Sequence, residues 1–99
     1  MKPYHNKDMD FLYRGILALQ TREECYAFFE DICTIKELQA MAQRFRVAAM
    51  LRDNKNYNEI QADTGASSAT ISRVNKCILY GSGGYATALE RMGKEQEDG

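Results

Sequence analysis

Between Asn56 and Tyr80 the chain carries a run of small, hydroxylated and basic side chains whose spacing suits contact with the edges of nucleic-acid bases. Ile71, Val74 and Ile78 recur at i, i+3 and i+7 and form one inward stripe of a helix, which turns Ser68, Ala69, Ser72, Arg73 and Lys76 outward. Small residues let a helix approach base edges closely, hydroxyls donate or accept there, and Arg and Lys reach guanine or phosphate. The chemistry implied is recognition of DNA. Read instead as structure alone, the same residues would be an ordinary helical hairpin with a solvated outer face.

The elements that must position this face are two short helices and a tight turn, a helix-turn-helix over about residues 56–80. Asn56 is placed to cap the first helix with Glu59 three residues on, and Ile60 supplies its inward apolar position. Gly65 stands where the chain needs a positive φ to leave that helix, after which Ala66 and Ser67 or Ser68 start the second. Upstream, Met9, Leu12, Tyr13, Ile16 and Leu17 share one face of a helix over about residues 7–19. Thr21 with Glu24 opens a second helix with the stripe Cys25, Phe28, Phe29 and Ile32, and Thr34 with Glu37 opens a third running to about Arg52. The third is apolar on two sides, through Leu38, Met41, Phe45, Ala48 and Ala49 and through Val47 and Leu51, which marks it as central. A final helix carries Tyr85, Leu89 and Met92, and the polar tail KEQEDG is expected to fray.

Ninety-nine residues with 44% apolar content make one globular domain, small enough that a dimer interface would add considerably to its stability. The single proline is Pro3, and no strand-length stretch alternates apolar with polar residues, so the chain reads as all-α. No segment approaches the roughly eighteen apolar residues of a membrane span, and the start MKPYHNKDMD lacks the apolar core of a signal peptide; a cytoplasmic protein without a membrane partner is expected. Cys25, Cys33 and Cys77 lack CxxC spacing, which argues for reduced, buried or half-buried thiols and against a disulfide framework or zinc site.

The net charge of −1 conceals an uneven distribution. From Thr34 to Tyr80 there are seven basic and four acidic residues, a local charge of +3, while the flanks together carry −4. An acidic body holding a basic module still focuses positive potential where the module lies.

Other candidates for chemistry lack partners. GSGG at Gly81 to Gly84 has neither the preceding strand nor the following Lys-Ser/Thr of a phosphate loop, so it reads as an interhelical turn. His5 is the only histidine and lies in the polar start, without a neighbour for acid–base or metal chemistry. Asp8 with Asp10, and Glu23 with Glu24, fit solvated helix surface. No arrangement of nucleophile and base is visible, so neither a catalytic nor a metal site is expected.

The run from Thr34 to Leu79, with T-x-x-E-L, QRFRVAAML and Y-x-E-I-x-x-x-TG-x-S-x-ATISRVN, resembles the Trp repressor superfamily, in particular its short TrpR-like (YerC/YecD) branch. The resemblance implies a six-helix, all-α protomer in which terminal helices of two chains interlock as a homodimer. The apolar payload of Phe11, Tyr13, Phe28 and Phe29 independently favours that assembly, because a compact monomer would leave part of it exposed. The resemblance also implies an amino-acid corepressor pocket, with Arg44 and Arg73 flanking a ring and holding a carboxylate, and Thr34 and Cys77 at pocket positions. Val74 stands where the tryptophan-binding member has glycine beside the ring, and Cys77 where it has a serine that meets the ligand's amino group, so tryptophan is not the expected ligand and no cofactor is assigned. Arg44 and Arg73 read equally as phosphate contacts.

These readings converge on a dimeric transcriptional regulator, acting as a repressor on double-stranded DNA at a near-palindromic site. Ser67, Ser68, Ala69, Thr70, Ser72, Arg73 and Lys76 are its expected DNA contacts on the reading helix, with Tyr57, Asn58 and Gln61 orienting the first helix on the backbone. The alternative is a helical dimeric adaptor that uses the same motif to dock a protein.

Overall fold

The computed structural model describes residues 3–98, with side chains described as far as Gly93. Six helices follow one another: α1 (Lys7–Ala18), α2 (Arg22–Ile32), α3 (Ile35–Arg52), α4 (Tyr57–Thr64), α5 (Ser68–Tyr80) and α6 (Gly84–Asp98). Among the described residues there is no strand. The contacts divide the chain into two compact units, Met1–Leu38 and Gln39–Gly99.

In the first unit the helix starts are fixed by side-chain acceptors for backbone N–H groups that have no intrahelical partner. Asn6 Oδ1 accepts from Met9 N at 2.9 Å to open α1, a cap the sequence reading does not include. Thr21 Oγ1 accepts from Glu24 N at 3.0 Å, but Glu24 Oε1 reaches back to Gln20 N at 2.7 Å and not to the cap residue itself. The Thr34–Glu37 pair closes reciprocally: Glu37 N donates to Thr34 Oγ1 at 3.1 Å and Thr34 N donates to Glu37 Oε1 at 2.8 Å. Leu19, expected as the last residue of α1, instead leaves the helix in extended conformation as its C-cap.

The predicted stripes of α1 and α2 are covered only in part: Met9, Leu12 and Ile16 are half-buried, while Tyr13, Leu17, Cys25 and Ile32 are exposed. No residue of either helix is buried; Phe11 is 73% exposed and Leu17 84%. Phe28 and Phe29 are half-buried and meet edge to face, with centroids 5.3 Å apart. An apolar cavity of about 660 Å³ lies between α1 and α2, lined by Phe11, Leu12, Phe28 and Ile32 with Asp8 and Arg14 among its residues. Cys25, expected to be at least half-buried, is exposed; the cover on α2 is limited to Phe28 and Phe29 and does not extend to it.

The second unit holds the closed core. Val47, Ala48 and Met50 of α3, Ile60 of α4, Ala66 of the turn, and Ile71 and Val74 of α5 are all buried, with Leu51, Ile78, Tyr85 and Leu89 packed against them. Tyr85 also stacks on Phe45, centroids 6.4 Å apart and planes 20° from parallel. The end of α3 is shaped by Asn54 in the left-handed region at φ 62, a conformation its short amide side chain tolerates. Asn54 N donates to Leu51 O and Lys55 N to Met50 O, both at 3.1 Å, the paired bonds of a Schellman motif. The tail KEQEDG, expected to fray, instead continues α6 as far as Asp98; Gly99 lies outside the described residues.

Candidate nucleic-acid interface

Within the second unit α4 and α5 form the expected helix-turn-helix. Asn56 Oδ1 accepts from Glu59 N at 2.9 Å and its amide donates to Glu59 Oε1 at 3.0 Å, so the start of α4 is held twice. Gly65 adopts φ 73 and ψ 4, and its N–H closes the helix on Gln61 O at 2.9 Å. Only a residue without a Cβ takes this left-handed conformation at little cost.

Of the two alternatives for the start of α5, Ser67 is the cap: its Oγ accepts from Thr70 N at 3.1 Å. Its proton is also committed, donated to Thr70 Oγ1 at 3.1 Å. Thr70, half-buried, therefore keeps its own hydroxyl proton for an outside acceptor such as a phosphate oxygen. Ser68, Ala69, Ser72, Arg73 and Lys76 are all exposed, whereas Ile71 is fully buried and Val74 is 1% exposed. The helix is thus divided as its spacing dictates. On α4, Asn58 is exposed, Tyr57 is 38% exposed and Gln61 is half-buried.

Arg44 of α3, Arg73, Val74 and Cys77 of α5 and Tyr85 of α6 line one cavity of about 320 Å³. Three of the four residues expected at a ligand pocket, Arg44, Arg73 and Cys77, are thereby brought together. The fourth, Thr34, lies in the other unit, where its hydroxyl caps α3. Among the described residues neither guanidinium has a carboxylate within ion-pair distance; the ion pair present is Arg52 with Glu90 at 3.3 Å, on the surface. Cys77 is exposed, against the expectation of a covered thiol, because its place on α5 turns it toward this cavity and away from the Ile71–Val74 stripe. Among the described residues no group of three or more His, Cys, Asp or Glu side chains is placed to hold a metal, and no helix is long and apolar enough to cross a membrane.

Six helices, with the fourth and fifth joined by a left-handed glycine and the fifth displaying a small, basic outer face, define a Trp-repressor-like helix-turn-helix protein, the fold of DNA-binding regulators and not of enzymes. The chain belongs to the Trp repressor family: the family model for the Trp repressor protein matches residues 7–93. The uncharacterised protein YerC of Bacillus subtilis (strain 168) is 53% identical over 91 residues, covering 92% of this chain and 86% of that one. A TrpR-like protein from Eubacterium eligens ATCC 27750 superposes with a TM-score of 0.87 at 48% identity, covering 89% of this chain and 91% of its own. A Staphylococcus aureus protein provisionally assigned as a Trp repressor matches with a TM-score of 0.87 at 43% identity, covering 90% and 89%.

Sequence reasoning passed over Gln43. Its side-chain amide donates to the carbonyl of Thr64 at 3.1 Å, at the turn itself. A polar residue between Ala42 and Arg44 on a helix gives no periodic signal that would single it out.

Proposed function

We propose that the 99 residues act as one cytoplasmic DNA-binding domain, a homodimeric transcriptional repressor whose α5 enters the major groove of a near-palindromic operator. The observation that carries this reading is the division of α5: Ile71 and Val74 are sealed in the core while Ser68, Ala69, Ser72, Arg73 and Lys76 stand free on the opposite side. Ser68, Ala69 and Ser72 face base edges in this reading. Arg73, Lys76 and Thr70 hold phosphate or the groove wall, Ser67 fixes the start of the reading helix, and Tyr57, Asn58 and Gln61 set α4 against the backbone. Family membership supports the same class of partner.

The dimer is supported by what α1 and α2 leave uncovered. Phe11, Tyr13, Leu17, Tyr26 and Ile32 are each more than half exposed, an apolar surface that a second copy would cover. No corepressor is required in this reading. Val74 lines the cavity beside Arg44 and Arg73 and takes up room there that a glycine would leave open, and the two arginines serve first as cations toward DNA.

Selection from a random duplex library at two salt concentrations tests the proposal, with sedimentation equilibrium on the same sample. The expected result is a near-palindrome with half-sites about one helical turn apart, bound by a species of twice the chain mass. A monomer bound to asymmetric sites overturns the dimeric-operator reading, and no enrichment of any duplex, with protein partners captured instead, overturns it in favour of the adaptor.

A further inference from the structure

We infer that Gln43 and Thr64 form a latch that sets the angle of the reading helix, making Gln43 a positioning residue for sequence-specific DNA binding. The inference rests on the proposed DNA reading. Thr64 is the last residue of α4, and a carbonyl at that place has no partner within its own helix. Water would ordinarily satisfy it. Here the donor is the amide of a residue 21 positions away in sequence, on α3. The rest of Thr64 is equally committed: its hydroxyl donates to Ile60 O at 2.7 Å and accepts from Ala66 N at 3.1 Å, across Gly65. Both ends of the turn therefore converge on one residue, and that residue is tied to α3.

The tie matters because of what else joins α3 to the motif. Among the described residues the Gln43 bond is the side-chain hydrogen bond that links them; the remaining contact is apolar, through Val47, Ala48 and Met50 against Ile60, Ile71 and Val74. Apolar burial is non-directional, so it holds the helices together without fixing their rotation. A hydrogen bond is directional and fixes one point at the pivot. Ser72 lies one turn beyond the start of α5, about 6 Å along the axis, so a tilt of about 10° at the pivot moves it by about 1 Å. A hydroxyl displaced that far loses its bond to a base edge, while long Arg and Lys side chains still reach phosphate. Loosening the latch should therefore cost specificity and leave general DNA affinity alone.

Gln43→Met keeps the length of the side chain and removes the donor; Gln43→Asn keeps the amide and draws it back by one methylene. Both are measured against the selected duplex and a scrambled one, over a salt series, with amide exchange followed at Gly65 and Ala66. Expected for each variant are about a fivefold loss of affinity for the selected duplex, unchanged affinity and salt slope on the scrambled one, and faster exchange at the two turn amides. A residue that merely stabilises the fold would lower both affinities together and leave their ratio unchanged, which overturns the inference. So does an unchanged exchange rate at the turn. A wild-type chain that enriches no duplex overturns the DNA reading and this inference with it, whereas wild-type selectivity with variant ratios unchanged overturns the latch alone.

Discussion

Ile71→Ala separates the two faces of α5 by their energetics. Ile71 is fully buried among Val47, Ala48, Ile60 and Val74, in a cluster of seven buried residues. The substitution removes three carbon groups, worth about 2.4 kcal/mol at ~0.8 kcal/mol per methylene-sized group. The cavity left behind adds a further cost, for a total of about 3 to 4 kcal/mol. Domains of this size have roughly 5 to 15 kcal/mol to lose. At roughly 4 °C or more per kcal/mol the melting temperature should fall by at least about 12 °C. The neighbouring exposed residue, in Ser72→Ala, should change stability by less than about 0.5 kcal/mol. Guanidinium titration and thermal melts followed by circular dichroism, at one fixed protein concentration, measure both. A loss below about 1 kcal/mol for Ile71→Ala, or equal losses for the two variants, would show that α5 is not anchored by this stripe.

Ser72→Glu should abolish specific DNA binding with the melt unchanged, since it sets a carboxylate against base acceptors and phosphates; Lys76→Ala should weaken binding to all duplexes and reduce the salt slope by about one, both read by fluorescence anisotropy over a salt series. The Glu37 carboxyl is held below its ordinary range by hydrogen bonds from the backbone N–H of Thr34 first and its side chain second, with desolvation opposing. A depressed carboxyl stabilises the fold above its unfolded value and loses that contribution as pH falls through the folded value, so Glu37→Gln should lower stability modestly at neutral pH, leave it unchanged in acid, and so flatten the acid limb of stability against pH, read by thermal melts over a pH series. Calorimetry should detect little or no binding of L-tryptophan, and DNA affinity should not respond to it. Micromolar binding that tightens DNA affinity tenfold would restore a corepressor mechanism.

Local chemistry was the legible part of the sequence. Thr34 with Glu37, Asn56 with Glu59 and Gly65 each announce a helix boundary through bonds made within a few residues, and each boundary is where those bonds predict. The stripe of α5 was legible for the same reason, because one closed core takes its inward side. The stripes of α1 and α2 have equal periodicity but are no more than half-buried, since periodicity says which side is apolar and not what covers it. Thiol placement held for Cys33, which is half-buried, and failed for the other two on the same ground: Cys25 lies on the exposed part of α2, and Cys77 turns to a cavity that exists only once α3, α5 and α6 are assembled. The bond from Gln43 to Thr64 spans 21 residues and leaves no mark in either local pattern. Even near the cap, the choice of Gln20 over Thr21 as partner for Glu24 depends on a backbone geometry that the letters do not encode.

The alternation along α5 makes the helix an exchangeable part. Ile71 and Val74 carry its anchorage, while Ser68, Ala69 and Ser72 contribute no buried surface. Randomising those three positions with the anchors held constant explores 8,000 outer faces, about as many as three freely varied residues allow, on a scaffold whose folding they do not control. Under the proposed function, new operator preferences become reachable by steps that never pass through an unstable intermediate, and the protein is a practical frame for retargeting in the laboratory.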